Sequence, residues 1–393
     1  MKPMVLVVRE QIEDREVANY VPLASAYDLK LITTATRGPY DAKGLGLPVG
    51  VHRSWRQMIP TRIGQRATRM LDSRRFDLDE LRALRASLLG ASVVIVNETH
   101  MASSAQVCRL KQRIGCYSVV TVCYENIPFR YEEVDRLAAR KATVRANTDL
   151  FIALTPEAKH ALMVEGVAER RIRLQPYGVD PARFVGELRS ATVRTRWGAG
   201  DDDVVLLFLG RLVQEKGLVH LLRAVAEVDD EHLVPVVVGQ GPEGKRLDRV
   251  VSALGLKRFV REPWVEASLV PELLASADIF AMPSLPTPYW EEQLGFAAIE
   301  ALASGLPVLS VDSGSIRFIV GEGAELAVAY NVNSLAESLR RLVTDKAHRT
   351  QLGERGRSVV AANLNTSAVA NRLGLILGEL HPTRVGRISS TNE

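Results

Sequence analysis

Residues 91–123 have the sequence ASVVIVNETHMASSAQVCRLKQRIGCYSVVTVC, and its pattern predicts the fold class. Two β-branched runs, ASVVIV and YSVVTV, flank the helical pattern SSAQVCRLKQR. The same alternation continues through EEVDRLAARKATVRA, DLFIALT and PEAKHALMVEG. Apolar runs that alternate with helical patterns indicate βαβ units and a parallel sheet covered by helices on both faces. The stretch therefore predicts an α/β domain of the doubly wound, Rossmann-like type.

A second series of strands begins near residue 204. VVLLFLG is followed by VPVVVG, RFV, DIFAM and PVLSV, each with a helical pattern after it, whereas PMVLVVR and LKLITTA open the first series. A chain of 393 residues is long enough for two domains of about 150 residues or more. We predict an N-terminal domain over residues 1–181, a C-terminal domain over 182–365 and a flexible tail over 381–393. Ligands of doubly wound sheets bind beyond the C-terminal ends of the strands, so the two sheets are expected to face each other across a cleft.

Composition narrows the class of protein. The chain is 47% apolar and 24% charged, as in globular proteins, and no apolar run approaches the ~20 residues of a membrane span or forms a signal-peptide core. The cysteines Cys108, Cys116 and Cys123 form no C-x-x-C pair and have no nearby histidine, which argues against a disulfide framework and a zinc site. We predict a cytoplasmic protein with reduced thiols.

Residues 53–75 are unusually basic. They contain seven arginines and one acidic residue, Asp72, and apolar residues interleave with the arginines at roughly helical spacing. Such a segment can dock on an anionic membrane surface, here the inner face of the cell membrane, or it can be a solvated helix whose apolar stripe packs on its own domain. No nucleic-acid-binding motif accompanies the charge, so we predict no nucleic-acid partner.

The first turn of the second strand series carries cations. In VVLLFLGRLVQEKG, residues 204–217, Gly210 lets the backbone bend after the strand, and Arg211 and Lys216 precede a helix start. Two cations at a helix N-terminus suit a diphosphate group.

The next turn contains a glycine pattern with another familiar use. VPVVVGQGPEGKRL spells G-x-G-x-x-G with Gly239, Gly241 and Gly244, and Glu262 stands where a dinucleotide fold places its ribose-binding acid. That fingerprint belongs in the first βα turn of its domain, and this is the second. We therefore interpret these glycines as positions of close backbone approach to a ligand or as a simple turn.

The third turn is the most specific. In MPSLPTPYWEEQLGFAAIEALASGLPVL, residues 282–309, a proline-rich loop leads through Trp290 to Glu292, and a helix carries Glu300. Eight residues of helix correspond to ~12 Å. The paired carboxyls of a glycosidase lie within ~5–9.5 Å, so the spacing instead suits two ends of an extended ligand such as a nucleotide sugar.

The C-terminal half resembles family 4 of the retaining glycosyltransferases, which have the GT-B fold, in the motifs GRLVQEKG, VVGQGPEG and EEQLGFAAIEALASGLPVL. The similarity covers about residues 149–309. The resemblance implies transfer of a hexose-type sugar from a nucleoside-diphosphate sugar to a glycan, lipid-linked or small-molecule acceptor, without a cofactor. It implies diphosphate contacts from Arg211, Lys216 and Gly210, and a last helix, near residues 366–380, that returns to the first domain. It further implies sugar contacts from Glu292, Gln293, Leu294 and Gly295, and a ribose contact from Glu300.

The N-terminal half departs from the family pattern. VVREQIEDRE lacks the Gly-Gly loop of many relatives, and Cys123 stands where many have a histidine that faces the donor sugar. The catalytic candidates are Glu98 and His100, which follow ASVVIVN, and Glu125, which follows VVTV. A nucleotide-sugar epimerase and a catalytically silent nucleotide-sugar-binding protein stay open as alternatives.

No metal is predicted. Residues 201–203, DDD, satisfy the D-x-D pattern of metal-dependent transferases, but they precede their strand and therefore lie away from the ligand edge of the sheet. Arg211 and Lys216 already supply positive charge for a leaving diphosphate.

Overall fold

The structure, a computed structural model, describes residues 2–10, 13–34, 46–55, 77 and 79–380. These residues form two compact units, one running to Tyr177 and completed by the helix Thr366–Leu380, the other running from Gly178 to Asn365. Near the start of the second unit, the Val179 N–H donates to the Leu364 carbonyl, 2.8 Å away. Most of the predicted amphipathic segment, residues 56–75, and the predicted tail, 381–393, lie outside the described residues.

The N-terminal unit contains a seven-stranded parallel sheet. Its order is β3-β2-β1-β4-β5-β6-β7, so the direction of winding reverses between β1 and β4. The strands are β1 (Met4–Arg9), β2 (Asp28–Thr34), β3 (Val49–His52), β4 (Val93–Asn97), β5 (Ser118–Cys123), β6 (Leu150–Ala153) and β7 (Ile172–Leu174).

The C-terminal unit contains a six-stranded parallel sheet. Its order is β10-β9-β8-β11-β12-β13, with the reversal between β8 and β11. The strands are β8 (Val204–Leu209), β9 (Leu233–Val238), β10 (Val260–Glu262), β11 (Ile279–Met282), β12 (Val308–Val311) and β13 (Ala324–Ala327). Both sheets confirm the predicted doubly wound α/β fold.

Helices cover both sheets. In chain order they are α1 (Asp14–Val17), α2 (Leu84–Leu88), α3 (Ala102–Ile114), α4 (Asp135–Asn147), α5 (Pro156–Val164), α6 (Ala191–Arg196), α7 (Leu218–Val228), α8 (Gly244–Leu254), α9 (Val270–Ser276), α10 (Phe296–Ala303), α11 (Ile316–Val320), α12 (Val332–Thr344), α13 (Lys346–Asn363) and α14 (Thr366–Leu380). None of those described is long and apolar enough to cross a membrane.

Burial explains why the strands lack an alternating pattern. All six residues of β9 and the first five of β8 are buried, because the sheet is covered on both faces. Each unit has its own apolar core.

The helix α14 packs within the N-terminal unit, as the family resemblance implied. The hydroxyl of Tyr27 donates to the Gly374 carbonyl at 3.3 Å, and Arg372 Nε donates to the side chain of Gln175 at 2.8 Å.

Candidate functional site

The C-terminal unit gathers the predicted donor residues where its winding reverses. Arg211 and Lys216 follow β8, and Glu292 follows β11, its neighbour across the reversal. Crevices at such reversals are the usual ligand sites of doubly wound sheets. Arg211 is exposed, whereas Lys216 and Glu292 are largely buried.

Two backbone contacts join the turn after β8 to the loop after β11. The Leu285 N–H donates to the Glu215 carbonyl at 2.8 Å. Gly217 has a positive φ of 69°, and a Cβ built on it would lie 2.0 Å from the Pro283 carbonyl oxygen. A residue with a side chain does not fit there, so glycine allows the two loops to meet.

This close approach brings two predicted donor residues into contact. Lys216 Nζ forms an ion pair with Glu292 Oε2, and the side chains are 15% and 10% exposed. Ser284 Oγ donates to the same carboxylate oxygen at 2.6 Å. Lys216 Nζ also lies 5.0 Å from the ring centroid of Trp290, within cation–π range. The predicted phosphate cation and the predicted sugar carboxylate therefore neutralise each other in this structure.

Glu292 is not on the helix that carries Glu300, which corrects the axial spacing expected from the sequence. The helix α10 begins at Phe296 because Gly295, its N-cap, is in the left-handed conformation with φ 62°. The Glu292 carbonyl instead accepts the Ser315 N–H at 3.1 Å, which holds it in the loop. The ~12 Å rise of a continuous helix consequently does not apply to this pair.

The remaining donor-side candidates lie on the same segment. Leu294 is buried and Gln293 is half-buried in the loop before α10. Glu300 is half-buried on α10, between the fully buried Ile299 and Ala301. Such flanks distinguish Glu300 from a glutamate on a solvated helix face.

Two glycines of the G-x-G-x-x-G pattern, Gly239 and Gly241, fit against the protein's own backbone. A Cβ on Gly239 would lie 1.9 Å from the Gly210 carbonyl oxygen, and one on Gly241 would lie 2.3 Å from that of Leu212. The turns after β8 and β9 are also joined by the Leu212 N–H, which donates to the Gln240 carbonyl at 2.9 Å. At these two positions the close approach predicted from sequence is to another turn of the protein.

Glu262, the predicted counterpart of a ribose-binding acid, is engaged within the unit. Its Oε1 accepts from Arg196 Nε at 2.7 Å and from Trp197 Nε1 at 2.8 Å. Glu262 therefore accepts hydrogen bonds from the protein itself, which argues against a role in binding the ribose of a dinucleotide.

The N-terminal unit gathers its catalytic candidates where its own winding reverses. Glu98 and His100 follow β4, and Glu125 follows the adjacent β5. Glu98 is 1% exposed, and its Oε1 accepts the N–H groups of Tyr124 at 2.8 Å and Glu125 at 3.0 Å. Its φ of 55° lies in the left-handed region, a backbone conformation that residues with side chains seldom adopt. The structure therefore brings Glu98 to the segment that bears Glu125.

Burial controls the protonation of two candidates. Burial raises the pKa of Glu98 to about 7 against the lowering effect of its backbone hydrogen bonds. Burial, with the nearby cations Lys141, Arg140 and Arg130, lowers the pKa of His100 to about 4. Neutral His100 at pH 7 has its Nδ1 3.9 Å from Glu98 Oε2.

Glu125 faces a cation. Its Oε2 lies 3.1 Å from Arg130 Nη1, and its Oε1 accepts the Ile127 N–H at 3.1 Å. Cys123, in the place of the family histidine, is 2% exposed, and burial raises the pKa of its thiol well above the usual range. The thiol is therefore protonated at neutral pH.

Each unit has a residue at its site that was not predicted from the sequence. Ser284 is fully buried, and its hydroxyl donates a hydrogen bond to the carboxylate of Glu292. Its only signal in the sequence is its position directly after Pro283, in the loop that follows β11. Arg9, 1% exposed at the end of β1, pairs with Glu16 and donates to the hydroxyl of Tyr177 at 2.6 Å. An arginine as the last residue of an otherwise apolar strand is a signal that could have marked it.

The last residue of the D-x-D segment, Asp203, has a structural role. Asp203 accepts from both terminal nitrogens of Arg258 at 2.7 Å, and the hydrogen bonds hold the pKa of its carboxyl well below the usual range. Within the described part of the chain, no three His, Cys, Asp or Glu residues are grouped so that they could hold a metal ion.

Residues 190–359 match the family model described as glycosyl transferases group 1. The chain is 32% identical over 224 residues to the 2-deoxystreptamine glucosyltransferase of Streptomyces kanamyceticus, a match that covers 54% of each protein. It is 34% identical over 253 residues to the D-inositol 3-phosphate glycosyltransferase of Corynebacterium jeikeium, covering 60% of this chain and 58% of that protein. The matches thus span little more than half the length of these relatives.

Solved structures share the fold over nearly the whole chain. Anabaena HepE in complex with UDP is 17% identical with a TM-score of 0.77, covering 96% of this chain and 100% of that one. Sucrose-phosphate synthase from Thermosynechococcus elongatus is 20% identical with a TM-score of 0.74, covering 97% and 100%. Residues 190–359 are therefore a glycosyl transferases group 1 domain, and the described residues have the fold of these GT-B structures.

Proposed function

We propose that this protein is a retaining glycosyltransferase that moves a hexose-type sugar from a nucleoside-diphosphate sugar to a saccharide, lipid-linked or small-molecule acceptor. The observation that carries the proposal is the meeting of Lys216 with Glu292 at the winding reversal of the C-terminal sheet. A cation for phosphate and a carboxylate for sugar hydroxyls are the two groups that a nucleotide sugar requires side by side.

The proposed chemistry in the C-terminal unit is stabilisation of the leaving group. Breaking the bond between the anomeric carbon and the diphosphate oxygen places negative charge on the diphosphate. Arg211 and Lys216 supply positive charge for it, and stabilisation of charge that develops in the transition state is a large term in catalysis. We propose that no metal or cofactor takes part. Glu292 and the backbone of residues 293–295 would orient the sugar, and Glu300 would accept from the ribose hydroxyls.

The proposed acceptor side is the N-terminal unit, through Glu98, His100 and Glu125. Retention means that the acceptor oxygen attacks the anomeric carbon on the face from which the diphosphate leaves, and the acceptor proton passes to the departing phosphate oxygen or to a nearby base. Glu125, which is less deeply buried than Glu98, is the candidate to contact an acceptor.

The acceptor and the cellular location are proposed as classes. The relatives named above act on an aminocyclitol and on an inositol phosphate by their names. We propose an acceptor that is a polyhydroxylated ring or a lipid-linked glycan. We also propose that the protein is cytoplasmic and that it attaches peripherally to the inner membrane face through residues 53–75.

The test is acceptor-dependent release of nucleoside diphosphate. Purified protein is incubated with UDP-, GDP-, ADP- and TDP-hexoses, with and without a panel of cyclitol, aminocyclitol and glycan acceptors, and products are followed by ¹H NMR. We expect release that needs an acceptor and a product with the donor's anomeric configuration. An inverted product contradicts retention, conversion of the donor sugar without acceptor supports the epimerase, and donor binding without turnover supports the silent binder.

A further inference from the structure

The ion pair between Lys216 and Glu292 has a consequence for which ligand the site prefers. We propose that Glu292 competes with the donor diphosphate for Lys216, and that this competition makes the site favour the intact nucleotide sugar over the nucleoside diphosphate that remains after transfer. The inference rests on the proposed function, because it assumes that Lys216 contacts phosphate.

Burial makes the pair costly to break from one side. Glu292 is 8% exposed, so a ligand that takes Lys216 alone leaves a largely buried carboxylate without its cation. The same ligand brings its own negative charge close to that carboxylate. A bare diphosphate therefore binds against two unfavourable terms, the lost pair and the repulsion between like charges.

An intact nucleotide sugar replaces what it removes. Its phosphates take the Lys216 ammonium, and the sugar offers hydroxyl groups that can donate hydrogen bonds to Glu292. Hydrogen bonds to a charged acceptor are stronger than those between neutral groups. The sugar thus compensates the carboxylate for the cation that the diphosphate has taken.

The surroundings determine which partner moves. Glu292 is held at its side chain by the fully buried Ser284 and at its carbonyl by Ser315. Lys216 has a flexible four-carbon stem, and the Trp290 ring, whose centroid lies 5.0 Å from its ammonium, attracts that ammonium independently of Glu292. Lys216 is therefore the partner that exchanges, and Glu292 stays in place.

The exchange reverses after the reaction. When the sugar has moved to the acceptor, Glu292 loses its hydroxyl partners and again attracts Lys216. The diphosphate is then held less tightly, which favours product release, a step that often limits turnover.

The experiment compares Glu292→Gln with Glu215→Gln by calorimetry, using inorganic pyrophosphate, UDP and UDP-glucose, with GDP, ADP and TDP and their hexose derivatives as further probes. Glu215→Gln is the matched control because it removes a half-buried carboxylate next to Lys216 in sequence. We expect Glu292→Gln to bind pyrophosphate and the preferred nucleoside diphosphate on the order of tenfold more tightly than the parent, and the nucleotide sugar more weakly. Glu215→Gln should change both by less than about threefold.

A double-mutant cycle separates competition from simple repulsion. In a Lys216→Met background, adding Glu292→Gln should give much less tightening, because no cation remains to be released. Equal tightening in both backgrounds, or unchanged or weaker diphosphate binding in Glu292→Gln, overturns the inference. If circular dichroism shows that Glu292→Gln does not fold, Ser284→Ala provides the second variant. Without the Ser284 hydroxyl, Glu292 should bind Lys216 more strongly, and the variant should therefore bind the diphosphate more weakly. Tighter or unchanged diphosphate binding by Ser284→Ala opposes the inference. Absence of binding by the parent to every probe would instead contradict the proposed function.

Discussion

The Oε1 atom of Glu98 accepts a hydrogen bond from the backbone nitrogen of Tyr124 at 2.8 Å, and this bond ties the end of β4 to the segment after β5. The carboxyl that does so is 1% exposed and has its pKa raised to about 7 by burial. Glu98 therefore changes charge near neutral pH while it holds the backbone on which Glu125 lies. Such a residue positions its neighbour.

Replacing Glu98 by Gln should change how stability depends on pH. The folded protein binds a proton at Glu98 up to about pH 7, whereas an unfolded glutamate loses it near pH ~4.3. Stability from this group is therefore present below the unfolded pKa and is lost as pH rises through the folded pKa. The amide has no such loss, so Glu98→Gln should gain stability relative to the parent from pH 5 to pH 8, by up to about 3 kcal/mol.

Denaturant midpoints at several pH values measure the difference. An exposed glutamate of the same unit, replaced in Glu133→Gln, is the control and is measured at the same pH values. A difference between Glu98→Gln and the parent that does not vary with pH would show that Glu98 is ionised throughout.

Two glycines with similar backbone conformation should differ in their tolerance of alanine. Gly217 and Gly198 have φ of 69° and 66°, but a Cβ meets the Pro283 carbonyl only at Gly217 and open space at Gly198. Gly198→Ala should cost about 1 kcal/mol of unfolding free energy, and Gly217→Ala roughly 2 kcal/mol more and much of its diphosphate affinity. Thermal unfolding and calorimetry check both, and equal losses would exclude the proposed close approach.

Most of the architecture could be predicted from the sequence because βαβ units have a local signal, an apolar run followed by a helical pattern. Apolar runs such as VVLLFLG and VPVVVG became β8 and β9, and the position of Lys216 at a strand-to-helix turn placed it at the ligand edge. What the sequence did not predict depends on packing between distant segments. The contact of Lys216 with Glu292 spans 76 residues, and it requires the fit of Gly217 against Pro283.

The correction at Glu292 has a local cause. An apolar helical pattern follows Glu292 without a break, yet Gly295 adopts the left-handed conformation and α10 starts after it. Glycine permits that conformation but does not require it, so sequence alone could not locate the helix start. The burial that shifts the pKa of Glu98 likewise results from tertiary packing.

Glu300→Gln should weaken the bare nucleoside diphosphate and the intact nucleotide sugar alike. A carboxylate can accept from both ribose hydroxyls, whereas an amide offers one acceptor oxygen. We expect roughly tenfold weaker binding of both ligands by calorimetry, with Glu227→Gln, an exposed glutamate of α7, as the control. A loss confined to the nucleotide sugar would assign Glu300 to the sugar instead of the ribose.

Residues 53–75 should attach the protein to anionic vesicles if they dock on membrane. Binding to vesicles of phosphatidylglycerol should be strong at low salt and should fade as the screening length falls to ~10 Å at 0.1 M. Replacing Arg62, Arg66 and Arg69 by glutamine should weaken it. Sedimentation with vesicles measures the bound fraction, and binding that is equal on neutral phosphatidylcholine, or missing on both, favours a helix packed on its own domain.

We propose that the turn after β8 holds a nucleoside diphosphate through Arg211 and Lys216. Calorimetry of UDP, GDP, ADP and TDP against the parent and the double variant Arg211→Ala/Lys216→Ala tests it most directly, with Arg223→Ala on the exposed face of α7 as the control. Each charge-assisted phosphate contact contributes about 1.5–3 kcal/mol, so the double variant should bind at least about 100-fold more weakly than the parent while retaining its circular dichroism spectrum. We expect one-to-one binding of at least one of these nucleotides to the parent and to Arg223→Ala, and a double variant that binds that nucleotide as tightly as the parent would contradict the diphosphate assignment.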